Sequence, residues 1–210
     1  MCKLYAADPK MVDVIRNPAV LVIDVQNDFC SRRGLFKRAG MEVLSMQKMA
    51  VRIAKFLKYI KKLGIPIVFI VSHYDFKYLP SNIREVYEKK GLSRLCTSGT
   101  FGANLFMLKP NCNVFVKCRY DAFTNHNFVE WLKLNRIKSL ILTGCQTDVC
   151  VDSTARSGFM RGYYIIAVED CLASSNVFNH RHTLKFMSDY YGAQIRCSKT
   201  PLKRLWKGDA

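Results

Sequence analysis

The chain has 210 residues, half of them hydrophobic, and a formal net charge of +17. This length suits one packed domain, so we expect a single domain over residues 1–210. The longest apolar runs are far shorter than the about 20 residues that a membrane-spanning helix needs, and the N-terminus lacks the order of a signal peptide. We therefore expect a cytoplasmic protein with no membrane partner.

The positive charge is spread over many predicted helix faces, with no arginine-rich run and no nucleic-acid-binding module. We expect weak, salt-sensitive contact with polyanions and no specific nucleic-acid partner. The nine cysteines are an odd number scattered along the chain, which indicates a reducing compartment. Their spacing from one another and from the histidines is not that of a zinc site, so we expect no metal.

Apolar runs alternate with helical patterns along the chain. The predicted strands lie at 19–25, 65–71, 113–117, 139–142, 161–170 and 193–197, and the predicted helices at 41–63, 127–135, 147–155 and 178–191. This alternation predicts an α/β fold with a doubly wound parallel sheet. The polar, tyrosine-containing segment 72–99 follows the second strand, and we expect it to cover a site or form an oligomer contact.

Three reactive side chains lie near the ends of predicted strands. Asp24 lies at the end of the first strand, Lys117 ends the third, and Cys150 lies in the first turn of the helix that follows the fourth. The carboxyl ends of parallel strands share one rim, so these side chains can meet there as a nucleophile with a carboxylate and a lysine to manage its proton. A thiol in the first turn of a helix lies near unpaired N–H groups, which should lower its pKa and hold an oxyanion. Blander roles stay open: a loop cap for Asp24, a snorkelling side chain for Lys117 and a buried hydrophobe for Cys150.

Several motifs together resemble the isochorismatase-like cysteine hydrolases, from Ala19 to about Cys197. This family includes nicotinamidases, N-carbamoylsarcosine amidohydrolases, ureidoacrylate amidohydrolases and biuret hydrolases. The motifs are Asp24-Val-Gln-Asn-Asp-Phe29, Ser98-Gly-Thr-Phe-Gly102, Lys117-Cys-Arg-Tyr-Asp-Ala-Phe123, Gly144-Cys-Gln-Thr-Asp-Val-Cys-Val151, Ser153-Thr-Ala-Arg156 and Val168-Glu-Asp170.

The resemblance implies a three-layer, six-stranded parallel sheet in the order 3-2-1-4-5-6. It also implies that Cys150 attacks a carbonyl carbon, that Asp24 takes the thiol proton and later activates water, and that Lys117 balances their charge. A cis peptide between Gln146 and Thr147 would direct the backbone N–H groups of Thr147 and Cys150 towards the oxyanion. Relatives commonly form homodimers or homotetramers, and this mechanism needs no cofactor.

Departures from the family pattern bear on the substrate. Nicotinamidases hold a metal through an Asp-x-His motif and further histidines after the second strand, but here Lys77 stands where a ligand is needed. The Arg119, Tyr120 and Phe123 pattern resembles the carbamoyl and ureido branch, although Asp121 replaces its usual serine. Arg119 would pair with a substrate carboxylate or with Asp121.

Phe29 and Phe123 would flank the substrate or pack in the core. We therefore predict a metal-independent cysteine hydrolase that cleaves the C–N bond of a small amide or carbamoyl/ureido compound through a thioester. A nicotinamidase with a differently placed metal, and a non-catalytic binding protein on the same fold, remain as alternatives.

Overall fold

A computed structural model of the protein describes residues 15–200. Six strands form one parallel sheet in the order β3-β2-β1-β4-β5-β6, which confirms the predicted fold and strand order. The strands are β1 (Pro18–Ile23), β2 (Ile67–Ser72), β3 (Val114–Lys117), β4 (Ser139–Cys145), β5 (Tyr164–Ala173) and β6 (Gln194–Arg196). The helices are α1 (Asn27–Cys30), α2 (Leu35–Arg38), α3 (Leu44–Lys62), α4 (Ser81–Lys89), α5 (His126–Leu134), α6 (Asp152–Met160) and α7 (Val177–Tyr191).

The three central strands β1, β2 and β4 are buried along their whole length, as their continuous apolar sequences require of strands covered on both faces. Helix α3 and the 72–108 segment pack on one face of the sheet, and α5, α6 and α7 pack on the other. No helix of the described part of the chain is both long and apolar enough to span a bilayer.

Strand β4 is three residues longer than the sequence pattern predicted, and a glycine explains the difference. Gly144 pairs with Ile23 of β1 and has φ +112°, and a Cβ atom there would lie only 2.0 Å from the carbonyl oxygen of Ile23. The missing side chain of Gly144 lets β4 continue against β1 as far as Cys145, beyond the end predicted at residue 142. The segment 72–99 contains the helix α4, which is not among the predicted helices.

Candidate active site

A carboxylate and a lysine meet at the carboxyl edge of the sheet. Asp24 follows β1, Lys117 ends β3, and the Lys117 Nζ atom lies 2.7 Å from Asp24 Oδ2 with both side chains fully buried. Ser72, the last residue of β2, lies between them because β2 separates β1 from β3 in the sheet. Its hydroxyl donates to Asp24 Oδ1 (2.9 Å) and accepts from Lys117 Nζ (2.7 Å). Lys117 therefore does not snorkel to solvent.

The backbone of Asp24 adopts a left-handed conformation, with φ 52°. Its N–H donates to Ile70 O at 2.9 Å, and its carbonyl accepts from Gln26 N at 2.8 Å and from the Cys145 thiol at 3.2 Å. Aspartate is one of the few residue types that adopt this conformation without large strain. Asp28, rather than Asp24, has the capping role, since its carboxylate accepts from Leu35 N and Cys96 N.

Cys150 lies in a π-helical turn, Thr147–Val151, that joins β4 to α6. Its side chain is almost completely buried, and its Sγ atom lies 3.8 Å from the Tyr74 hydroxyl. The cis peptide of this turn joins Cys145 to Gln146. The expected position, between Gln146 and Thr147, is wrong by one residue.

Burial raises the pKa of Cys150 to about 12; the charge of Asp24 adds to this effect, and Lys117 opposes it. The expected fall in this pKa is wrong, because desolvation of the thiol outweighs the stabilisation that the turn can offer. Burial acts to lower the pKa of Lys117, but the negative charge of Asp24 outweighs burial and raises that pKa. At neutral pH the site therefore contains a neutral thiol and a charged lysine.

Side-chain hydrogen bonds fix the turn that carries Cys150. The Gln146 Oε1 atom accepts from Ser174 Oγ and Ser175 N, both at 2.9 Å. The Thr147 hydroxyl lies 2.8 Å from His180 Nδ1 on α7. These contacts tie Gln146 and Thr147 to the loop after β5 and to α7, so the backbone of the turn is held from outside.

Sequence reasoning missed two residues of the site, Ser72 and Tyr74. Tyr74 is buried, and its ring packs edge-on against Tyr87 of α4 with centroids 5.5 Å apart. Both tyrosines belong to the segment 72–99. Through Tyr74 this segment covers Cys150, which is one of the two roles predicted for it. The strand order implied by the resemblance places the end of β2 between those of β1 and β3, and this signal could have identified Ser72.

The weaker pocket residues make mostly structural contacts. Phe29 packs on Phe36 with ring centroids 4.9 Å apart, and Phe123 packs against Phe128 at 5.5 Å in the core. Tyr120 is half-buried and packs against both hydrophobic clusters.

Arg119 is half-buried, and its guanidinium donates to the carbonyl oxygen of the preceding residue, Cys118, at 2.7 Å. The alternative pairing of Arg119 with Asp121 is wrong, because Asp121 instead accepts from Phe123 N and from the Ser157 hydroxyl. A carboxylate in this place is thus used as a helix cap and a link to α6.

The residues after β2 do not fit the metal site of a nicotinamidase. Asp75 Oδ1 accepts a hydrogen bond from Ser98 N at 3.0 Å, and the Lys77 ammonium lies 4.7 Å from the ring centroid of Tyr78. Within residues 15–200, no three His, Cys, Asp or Glu side chains are grouped so that they could hold a metal ion. The eight cysteines in this range are all free thiols, so Cys145 and Cys150 are not paired.

The sequence matches a known protein family and several relatives within it. Residues 18–199 match the family model described as "Isochorismatase domain". A ureidoacrylate amidohydrolase of Pseudomonas savastanoi pv. phaseolicola is 31% identical over 168 residues, which cover 72% of this chain and 69% of the relative. Another from Acinetobacter baylyi is 25% identical over 210 residues, covering 90% and 85%.

Solved structures share the fold. An N-carbamoylsarcosine amidase from Thermoplasma acidophilum superposes with a TM-score of 0.72 and 24% identity, covering 87% of this chain and 97% of that one. A nicotinamidase from Bacillus subtilis has a TM-score of 0.71 and 24% identity, covering 86% and 99%. A cysteine hydrolase from Pseudomonas syringae pv. phaseolicola has a TM-score of 0.79 and 19% identity, covering 98% of both chains.

Proposed function

Because the chain belongs to the isochorismatase family of hydrolases, we propose that it cleaves the C–N bond of a small amide or carbamoyl/ureido compound, with Cys150 as the nucleophile. The observation that carries the proposal is the buried cluster of Asp24, Lys117 and Cys150. The Asp24–Lys117 pair is 2.7 Å apart, and the charges of both residues act on the Cys150 thiol.

In the proposed first half-reaction, the S–H bond of Cys150 breaks and its proton passes to the Asp24 carboxylate. The sulfur forms a bond to the carbonyl carbon, and the π electrons of the C=O bond move to oxygen. Asp24 then returns the proton to the nitrogen, the C–N bond breaks, and ammonia or an amine leaves a thioester behind. A base is needed because the raised pKa keeps the thiol protonated at neutral pH.

In the second half-reaction, water gives a proton to Asp24 while its oxygen attacks the thioester carbon. The C–S bond then breaks, the acid is released, and the proton on Asp24 returns to the Cys150 sulfur. Lys117 stays charged throughout, and its ammonium group, 2.7 Å from Asp24 Oδ2, balances the negative charge of the carboxylate.

The oxyanion in both steps requires donors on the side of the turn that carries Cys150. We assign this role to the backbone N–H groups of Thr147 and Cys150, since they lie in the turn whose neighbours Ser174, Ser175 and His180 hold Gln146 and Thr147 in place. Fixed backbone donors stabilise a developing negative charge without having to reorganise during the reaction.

The substrate class follows from the relatives. Proteins named ureidoacrylate amidohydrolase match most of this chain, and the donor set after β2 does not fit the metal of a nicotinamidase. A small carbamoyl or ureido compound is therefore the substrate class that we favour, and no step of the proposed mechanism uses a metal.

The test is ammonia release from a panel of nicotinamide, N-carbamoyl amino acids, ureidoacrylate-like compounds and biuret, by the wild type and by Cys150→Ala, each with and without a chelator. We expect release from a carbamoyl or ureido compound that survives the chelator and disappears in Cys150→Ala. Release from nicotinamide alone, lost on chelation, would instead support a nicotinamidase. Absence of release from every compound would count against the proposed substrate class.

A further inference from the structure

Tyr74 lies between the lysine and the thiol of the site. Its hydroxyl oxygen is 3.5 Å from Lys117 Nζ and 3.8 Å from Cys150 Sγ, and its side chain is 2% exposed. Lys117 has N–H donors and no acceptor, so the hydroxyl accepts from the ammonium group and can donate its own hydrogen to the sulfur. The two contacts therefore form a chain of donors that ends on the nucleophile.

Packing leaves the hydroxyl little freedom to turn away. The Tyr74 ring packs edge-on against Tyr87, the Lys117 ammonium lies 5.7 Å from the Tyr74 ring centroid, and the Tyr74 N–H donates to Cys96 O at 3.2 Å. The backbone, the ring and the hydroxyl of Tyr74 are thus each held by a different neighbour. This arrangement is that of a fixed donor rather than of a side chain that only fills space.

We propose that Tyr74 is a further catalytic residue, whose hydroxyl passes the positive charge of Lys117 on to Cys150 and stabilises the thiolate that forms when the thiol proton leaves. The proposal rests on the proposed function, in which Asp24 takes that proton. Tyr74 is thus a fourth residue beside Asp24, Lys117 and Cys150. Through its hydroxyl, Lys117 acts on the sulfur by hydrogen bonds as well as by its charge.

The electrostatics of the site explain why such a donor is needed. Burial and the nearby Asp24 charge both oppose a negative charge on Cys150 and raise its pKa, while the Tyr74 hydrogen bond and Lys117 lower it. Burial also raises the pKa of Tyr74 itself well above its ordinary value, so its hydroxyl keeps its proton when the thiolate forms. A hydrogen bond to a charged group shifts the equilibrium towards the charged form by roughly 10- to 100-fold.

The test compares the alkylation of Cys150 by iodoacetamide in the wild type and in Tyr74→Phe at about pH 8, where the rate follows the thiolate fraction. Site-resolved tandem mass spectrometry is needed because Cys145 is close in the chain, and the exposed Cys112 serves as an internal reference for the reagent. The measurement needs no substrate, so it stands even if the proposed amide hydrolysis fails.

Removal of the hydroxyl takes an atom away from the front of the sulfur, so better access alone would speed alkylation. The proposal predicts the opposite, a roughly 10- to 100-fold slower reaction at Cys150 in Tyr74→Phe with Cys112 unchanged. Tyr87→Phe, which removes a neighbouring buried hydroxyl, should leave the rate at Cys150 within about twofold of the wild type. An equal or faster rate at Cys150 in Tyr74→Phe would overturn the proposal.

A second measurement uses the hydrolysis itself. Tyr74→Phe should lower kcat for the favoured substrate by a similar factor and leave KM nearly unchanged, since the hydroxyl acts on a charge that appears only during the reaction. A rise in KM with an unchanged kcat would show that Tyr74 only contacts the substrate, which would also overturn the proposal.

Discussion

Ser72 Oγ joins the two charged residues of the site, since it lies 2.7 Å from Lys117 Nζ and 2.9 Å from Asp24 Oδ1. All three side chains come from neighbouring strand ends, so the register of the parallel sheet sets their distances. The serine leaves neither carboxylate oxygen of Asp24 without a donor, and it holds the carboxylate in one orientation.

Loss of the Ser72 hydroxyl should therefore affect the chemistry more than the fold. We expect Ser72→Ala to lower kcat roughly 10-fold because Asp24 Oδ1 loses a donor and the carboxylate can turn, with a smaller effect on KM. Ser139→Ala, which removes another fully buried serine hydroxyl at the opposite end of the sheet, is the matched control. Equal losses of kcat in the two variants would show that the effect is not specific to the site.

The buried ion pair should make each partner costly to remove alone. Asp24→Asn leaves the Lys117 charge buried without its carboxylate, and we expect the free energy of unfolding to fall by about 3 to 5 kcal/mol. The double variant with Lys117→Met should recover part of this loss, because it removes the unpaired charge. Denaturant unfolding measures both changes.

Lys37→Gln breaks an exposed ion pair with Glu42 and serves as the control for the buried pair. Its cost should be far smaller than that of Asp24→Asn, because solvent screens exposed charges. A comparable loss in Lys37→Gln and Asp24→Asn would contradict the view that burial makes the Asp24–Lys117 pair critical.

Gly144 should tolerate no side chain. Its φ is unfavourable for other residues, and an added Cβ would lie 2.0 Å from Ile23 O, so we expect Gly144→Ala to destabilise the protein by about 4 kcal/mol or more. Gly162→Ala separates the two causes, because Gly162 has φ +84° but nothing within 4 Å of an added Cβ. Its cost should be about 1 to 2 kcal/mol, and thermal unfolding of the two variants measures the difference.

His180 should make stability depend on pH. Burial lowers its pKa and Arg181 adds to this, although Asp148 opposes it, so the unfolded chain binds the proton more readily than the folded one. The contribution of neutral His180 is therefore fully present above the ordinary histidine pKa of about 6.5 and is lost as the pH falls below it.

Denaturant unfolding at about pH 7.5 and about pH 5.5 measures this effect. The wild type should lose more stability between these pH values than His180→Gln does, whereas a substitution of the exposed His126, His126→Gln, should leave the wild-type loss unchanged. Identical pH dependence in the wild type and His180→Gln would show that the Thr147–His180 contact does not carry it.

The sequence predicted the sheet well because its central strands are continuous apolar runs. In an α/β chain such short runs are typical of strands that are buried on both faces of a parallel sheet. The same patterns ended β4 at residue 142, because no local pattern shows that Gly144 can pair closely with Ile23.

The chemistry of the site was less predictable than its location. Asp24, Lys117 and Cys150 were identified because each stands near a strand end, but the pKa of Cys150 depends on how completely the fold removes its thiol from water. Desolvation is a property of the whole fold, and no local motif reports it. The sequence also suggested a pair of Arg119 with Asp121. In the structure each side chain has another partner, because Arg119 donates to Cys118 O and Asp121 accepts from Phe123 N.

The covalent role of Cys150 is tested most directly by intact-protein mass spectrometry after acid quench of the enzyme during turnover of the favoured substrate. We predict an added mass equal to the acyl part of the substrate, located at Cys150, released by hydroxylamine and absent in Cys150→Ala. Sustained hydrolysis by Cys150→Ala, or an acyl adduct on another residue, would contradict the account.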